Sequence, residues 1–176
     1  MVSFGRAEQA AAPAADCCRP RVTGEVLVRE KMKSIRDYLS HHPLMTPFTL
    51  DVRSVAPFAR RTPAQAADAY VESLGFSPVG EGWNTLSREE AFRSIVTMLV
   101  ESLAYHCPML EKEDAERVAG ELLSSFPSPR AVFLNNSETI EPGAVAWSPI
   151  SQATFDAAIV ALDEVQIGVL CIEDED

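Results

Sequence analysis

Positive charge is scarce in this sequence, and most of it lies near the N-terminus. Fifteen Lys and Arg face 26 Asp and Glu over 176 residues, a formal net charge of −11. Residues 1–61 hold ten basic and six acidic side chains, whereas residues 62–176 hold five and twenty. After Arg130 there is no lysine or arginine, while Glu138, Glu141, Asp156, Asp163, Glu164 and the closing Glu173, Asp174, Glu175 and Asp176 accumulate. A field of that sign repels phosphate backbones and anionic lipid and steers basic partners, so neither a nucleic-acid nor a membrane partner is expected. An acidic surface also serves solubility alone, and the two roles are not separated by charge.

Long apolar runs are missing as well. The longest, "AAIVAL" and "IGVLCI", are strand length, against the roughly 20 residues a spanning helix needs. The first residues, "MVSFGRAEQAAAPAADCCRPR", lack the continuous apolar core of a secretory signal. The 4 cysteines do not form a disulfide framework: Cys17 and Cys18 are adjacent, and Cys107 and Cys171 are isolated in sequence. Reduced thiols and a cytoplasmic location are the expectation. The glycines at 75, 80, 82, 143 and 168 make no GxGxxG or P-loop pattern, so nothing points to a bound nucleotide and no cofactor is expected.

What is present is a change of period. Residues 1–31, rich in Ala, Pro and Arg, read as a disordered tail or an upstream-start extension, with Met32 the expected natural start and residues 32–176 a single domain. "KSIRDYLSHH" is a short helix ended by Pro43, and a strand is expected around Phe48 to Val52. "TPAQAADAYVESLG" carries Thr62 as N-cap, Pro63 at the first helical position, Gln65 to close a capping box and Gly75 to stop. Ser87 and Glu90 open a second boxed helix through "REEAFRSIVTMLVESLAYH" to Pro108, and "EKEDAERVAGELLSSF" makes a third. Beyond Pro129 "RAVFLNN", "AVAWSPI", "ATFDAAIVAL" and "VQIGVLCI" alternate as strands. The link at Asp163-Glu164 needs more than two residues, since neither favours positive φ. The fold class expected is α+β, with three or four N-terminal and central helices packed on a mostly antiparallel C-terminal sheet of about four strands.

Chemistry-bearing groups are sparse. His106 beside Cys107 holds the residue types of a thiol enzyme, but sequence neighbours rarely reach each other productively, and a structural role at a helix end is favoured. His41 and His42 diverge on a helix, and no His or Cys pair has zinc-binding spacing, so no metal is expected. No two carboxylates stand out as an acid–base pair. The most particular stretch is "VAWSPISQATFDAAIVAL", where Trp147, Pro149 and Phe155 surround Asp156. A lone Asp there commonly faces solvent or caps a turn. As a functional feature, an aromatic anchor beside acids has the composition of a hot spot for a basic partner.

The tail "WSPISQATFDAAIVAL…IGVLCIEDED" resembles the C-terminal hairpin of small acidic bacterial immunity proteins, the cytosolic antitoxins of contact-dependent and other polymorphic toxins. The resemblance covers about the last third of the chain plus its size and acidity, and it carries no shared motif. It implies a non-enzymatic protein that occludes a cognate, basic toxin. On that expectation the partner-binding residues are Trp147, Phe155, Asp156, Asp163, Glu164, Glu173, Asp174, Glu175 and Asp176. The alternatives are an acidic secretion or assembly chaperone, binding an extended segment along an edge strand, and a small enzyme with a site of unrecognised type.

Overall fold

A computed structural model describes residues 24–141 and 144–175. It is an α+β fold. The elements run α1 (Gly24–His41), β1 (Phe48–Ser54), α2 (Pro63–Glu72), β2 (Asn84–Leu86), α3 (Arg88–Val100), α4 (Lys112–Ser124), β3 (Val132–Asn135), β4 (Ser137–Glu141), β5 (Ala144–Trp147), β6 (Phe155–Leu162) and β7 (Gln166–Asp174). Five strands form one antiparallel sheet in the order β1-β7-β6-β3-β2, and β4 and β5 form a separate two-stranded hairpin.

Both faces of the sheet are covered. On one side α1, α3 and α4 pack Met32, Ile35, Leu39, Ile95, Leu99, Val118 and Leu122 against Leu50, Phe133, Ile159, Leu170 and Ile172. On the other, α2 and its flanking loops set Tyr70, Val71, Trp83 and Ile150 on Leu134, Val160, Ile167, Val169 and Cys171. A strand buried on both faces reads as a continuous apolar run, which accounts for "IGVLCI". Central placement also keeps the end of the chain in register, because β1 pairs with β7 from Phe48↔Ile172 to Ser54↔Gln166.

Several boundaries depart from the sequence reading. Helix α1 begins at Gly24, so residues 24–31 of the segment expected to be disordered are helical; residues 1–23 lie outside the described part of the chain. The earlier turns are held by one stripe: Val28, Met32, Ile35 and Leu39 follow helical spacing and join the same core. The sheet is not confined to the C-terminal half either, since β1 and β2 supply its two edges. "AVAW" pairs instead with β4, Ser137 opposite Trp147.

Helix α3 stops at Val100, eight residues before Pro108. The chain turns back at once, and Met109 N and Leu110 N donate to Val100 O and Leu99 O at 2.7 and 3.0 Å. Carbonyls that a longer helix would have paired within itself are thus satisfied by the returning strand. The capping boxes at Thr62/Gln65 and Ser87/Glu90 form as expected. The link between β6 and β7 is the longer loop anticipated, residues 163–165, with the Asp163 carboxylate accepting from Val165 N and Gln166 N.

Candidate functional site

The C-terminal end of α3, the following loop and the end of the sheet near Phe155 enclose a cleft of about 500 Å3. Two of the acids expected to touch a partner hold its walls in place. Asp156, on β6, is 4% exposed. Its carboxylate accepts from Asn136 Nδ2 at 2.7 Å, Ile150 N at 3.0 Å, Ser151 N at 2.9 Å and Ser151 Oγ at 2.9 Å. Asn136 extends the network, accepting from Ala158 N at 2.8 Å and donating to Ser148 O at 3.1 Å. Four donors offset the cost of burying one carboxylate. The connection from β5 to β6, which carries Trp147 into place, is fastened to the sheet by this group.

Asp174 does not line the cleft but holds the loop after α3, which does. It is 8% exposed, accepts from Ala104 N at 3.0 Å and so ties the loop after α3 to the last strand. That loop is tight. Ser102 N donates to Cys107 O at 2.9 Å, Cys107 N donates to Ser102 Oγ at 3.1 Å, and Glu101 bridges to Pro108. Closing it requires His106 at φ +52°, left-handed backbone that non-glycine residues adopt at a cost. His106 lines the cleft, and its Nδ1 lies 3.6 Å from Glu101 Oε2 in an exposed pair. Neither the strained histidine nor the turn around it is legible in the sequence, where "YHCP" reads as the end of a helix.

Trp147, 40% exposed, stacks on Phe155 with ring centroids 5.6 Å apart, and both rings line the cleft. Register places Phe155 opposite Asp174 and Asp156 opposite Glu173. The Glu173 carboxyl is pushed above the usual glutamate range by burial, then by the nearby Asp156 and Glu175 charges. Glu175 is exposed and accepts from Thr154 Oγ1 at 3.0 Å. Asp176 lies outside the described residues.

Asp163 and Glu164 are elsewhere. They occupy the other end of the β6–β7 hairpin, roughly 25 Å away along an eight-residue strand. There Glu164 pairs with Arg130 at 2.7 Å. Its own backbone amide, Ser128 and Arg130 hold the Glu164 carboxyl below the usual range. The acidic tail positions therefore divide between the two ends of the hairpin: Asp163 and Glu164 at its turn, and Asp156, Glu173, Asp174 and Glu175 at its open end, where Trp147, Phe155 and Asp156 line the cleft.

Other sequence candidates take local roles. Cys107 is exposed and Cys171 is buried, both free, and burial raises the Cys171 thiol far above its ordinary pKa. His41 Nδ1 lies 2.6 Å from Asp37 O on its own helix. Among the described residues no group of three or more His, Cys, Asp and Glu is placed to hold a metal ion, and no helix is long and apolar enough to cross a membrane. Strand β7 lies between β1 and β6, so it offers no open edge to an extended segment. One residue that carries no functional signal in the sequence is Asn135, the end of β3. It lines the cleft, is 8% exposed, and its Oδ1 has no hydrogen-bond partner among the described residues.

No protein-family model matches the chain, and no curated protein or solved structure matches it either.

Proposed function

We propose that the chain is a non-enzymatic binding protein that recognises a basic protein partner, of the kind the immunity-protein resemblance implies: a cognate toxin occluded in the cytoplasm. The observation that carries this reading is the half-exposed Trp147, packed on Phe155 at the end of the β6–β7 hairpin that also carries Glu173 and Glu175. A rigid aromatic with few rotamers loses little entropy on burial, and it slows dissociation when it fills a partner's pocket. Acids around it speed the encounter with a basic surface. Asp156 and Asp174 enter this account as the groups that hold the anchor's surroundings, because their oxygens already accept backbone and side-chain donors. Glu173, Glu175 and Asp176 are the acids left to meet the partner, with Asp163 and Glu164 outside the contact.

The kinetics separate the two contributions. Neutralising Glu173, Glu175 and Asp176 to Gln and Asn is expected to lower the association rate with the co-purified partner about tenfold at low salt and leave dissociation nearly unchanged. Trp147→Ala is expected to raise the dissociation rate at least tenfold. If the neutralised protein associates at the parental rate, the tail serves only solubility and the electrostatic half of the proposal fails.

A further inference from the structure

The cleft has a chemistry of its own that the encounter surface does not use. Its floor and walls are largely apolar, with Met98, Leu103, Ala157 and Ile159 joining the Trp147 and Phe155 rings. At about 500 Å3 it has the size of a small-molecule site, not of a packing defect. Its rim carries one cation and one anion, Arg93 and Glu101. Each has a weak exposed partner, Glu89 at 4.0 Å and His106 at 3.6 Å, so the rim selects neither sign of charge. The remaining carboxylate of the lining, Asp156, is committed to its four donors.

What the cleft lacks is satisfied at one point only. The Asn135 side chain donates through Nδ2 to Ser137 Oγ at 3.0 Å, and Oδ1 is left without a donor although the residue is 92% buried. Turning the amide over would pair Oδ1 with the Ser137 hydroxyl and orphan the NH2 group instead. Either way one polar end is unmatched, an arrangement that costs stability, and both Asn135 and Ser137 line the same cavity. A second sign of strain stands at the mouth, where His106 is held at φ +52°. Unsatisfied and strained groups persist where a site is built for something else to complete.

We propose that this cleft binds a small neutral molecule with an apolar body and an amide-type N–H donor, the N–H reaching Asn135 Oδ1 and the body lying against Trp147, Phe155 and Met98. A neutral donor is favoured over an ammonium because the floor offers a dipole and no free carboxylate, so a buried cation would go uncompensated. A carboxylate would place a second acceptor against an acceptor. The proposal does not depend on the protein partner described above and stands or falls separately.

The test uses the full chain and three probes of one shape: benzamide, benzoate and toluene. Binding is followed by the fluorescence of Trp147, with the Trp147→Phe variant identifying its share against the buried Trp83. Benzamide is expected to give a saturable change at millimolar concentration, with benzoate and toluene at least tenfold weaker. Asn135→Leu should abolish the preference for benzamide over toluene. Thr97→Phe, at an exposed position on the cleft lining, should block all binding while leaving the core untouched. Equal binding of the three probes, a preference for benzoate, absence of saturable benzamide binding, or benzamide binding unaffected by Thr97→Phe would each overturn the proposal.

Discussion

Asp156 shows how much a single side chain can be asked to do. Sequence alone made it conspicuous as the one charge in a long apolar stretch, and the alternatives were a contact for a partner or a cap for a turn. Four hydrogen bonds decide the matter in favour of a cap, because a carboxylate accepting from two backbone amides, an asparagine and a serine has no capacity left over. Replacement by Ala would leave the amides of Ile150 and Ser151 without acceptors and deprive Asn136 Nδ2 of one of its two. The expected loss is at least about 3 kcal/mol in urea unfolding, with Asp156→Asn costing less because one oxygen remains. A loss below about 1 kcal/mol would mean that water replaces the carboxylate readily. Asn135 illustrates the opposite limit: an asparagine after apolar residues looks like any turn residue, and its orphaned oxygen exists only once β3, β6 and α3 are assembled around it.

At the scale of elements, signals between residues a few positions apart predict what forms. Capping boxes involve residues three apart, and both Thr62 with Gln65 and Ser87 with Glu90 form. Gly75, expected to stop α2, lies at φ +93° just beyond it. Errors arose where a distant segment overrides the local pattern. Helix α3 carries helical periodicity past Val100, but the chain folding back at Met109 supplies better partners for its last carbonyls. Strand β5 alternates like a sheet strand yet pairs only with β4, while β1 crosses from the N-terminal half to reach β7. Gly168, at the centre of β7, marks another long-range constraint. A Cβ there would come within 2.7 Å of Val52 Cγ2 and 3.0 Å of Asp51 O and of Phe126 Cζ. The gap admits the tip of the Phe126 ring, fully buried after α4. Gly168→Ala is therefore expected to destabilise by about 1–3 kcal/mol through overpacking, as measured by denaturant midpoint. Thermal or denaturant stability equal to the parent's would show that Phe126 can move aside without cost.

For the whole molecule, the charge count was legible and its geometry was not. Nine acids after Arg130 suggested one continuous face. Folding sends Asp163 and Glu164 to one end of the β6–β7 hairpin, where Arg130 meets Glu164, and brings Glu173, Asp174 and Glu175 to the other end, where Phe155 packs on Trp147. Strand register decides this, since an antiparallel hairpin necessarily parts its turn from its termini. The result is a smaller acidic patch than the sequence suggested, but one with an aromatic anchor and a cleft at its border. The central claim, that this end of the molecule recruits a basic protein by charge and holds it by the anchor, is tested most directly by co-purification from the native host at low and at high salt, with parent and Trp147→Ala chains side by side. The account predicts one basic protein retained by the parent chain at low ionic strength, weakened at high salt because exposed charges are screened beyond about 8–10 Å, and lost with Trp147→Ala. No retained partner at low salt, or a partner held equally in high salt and by the Trp147→Ala chain, would contradict it.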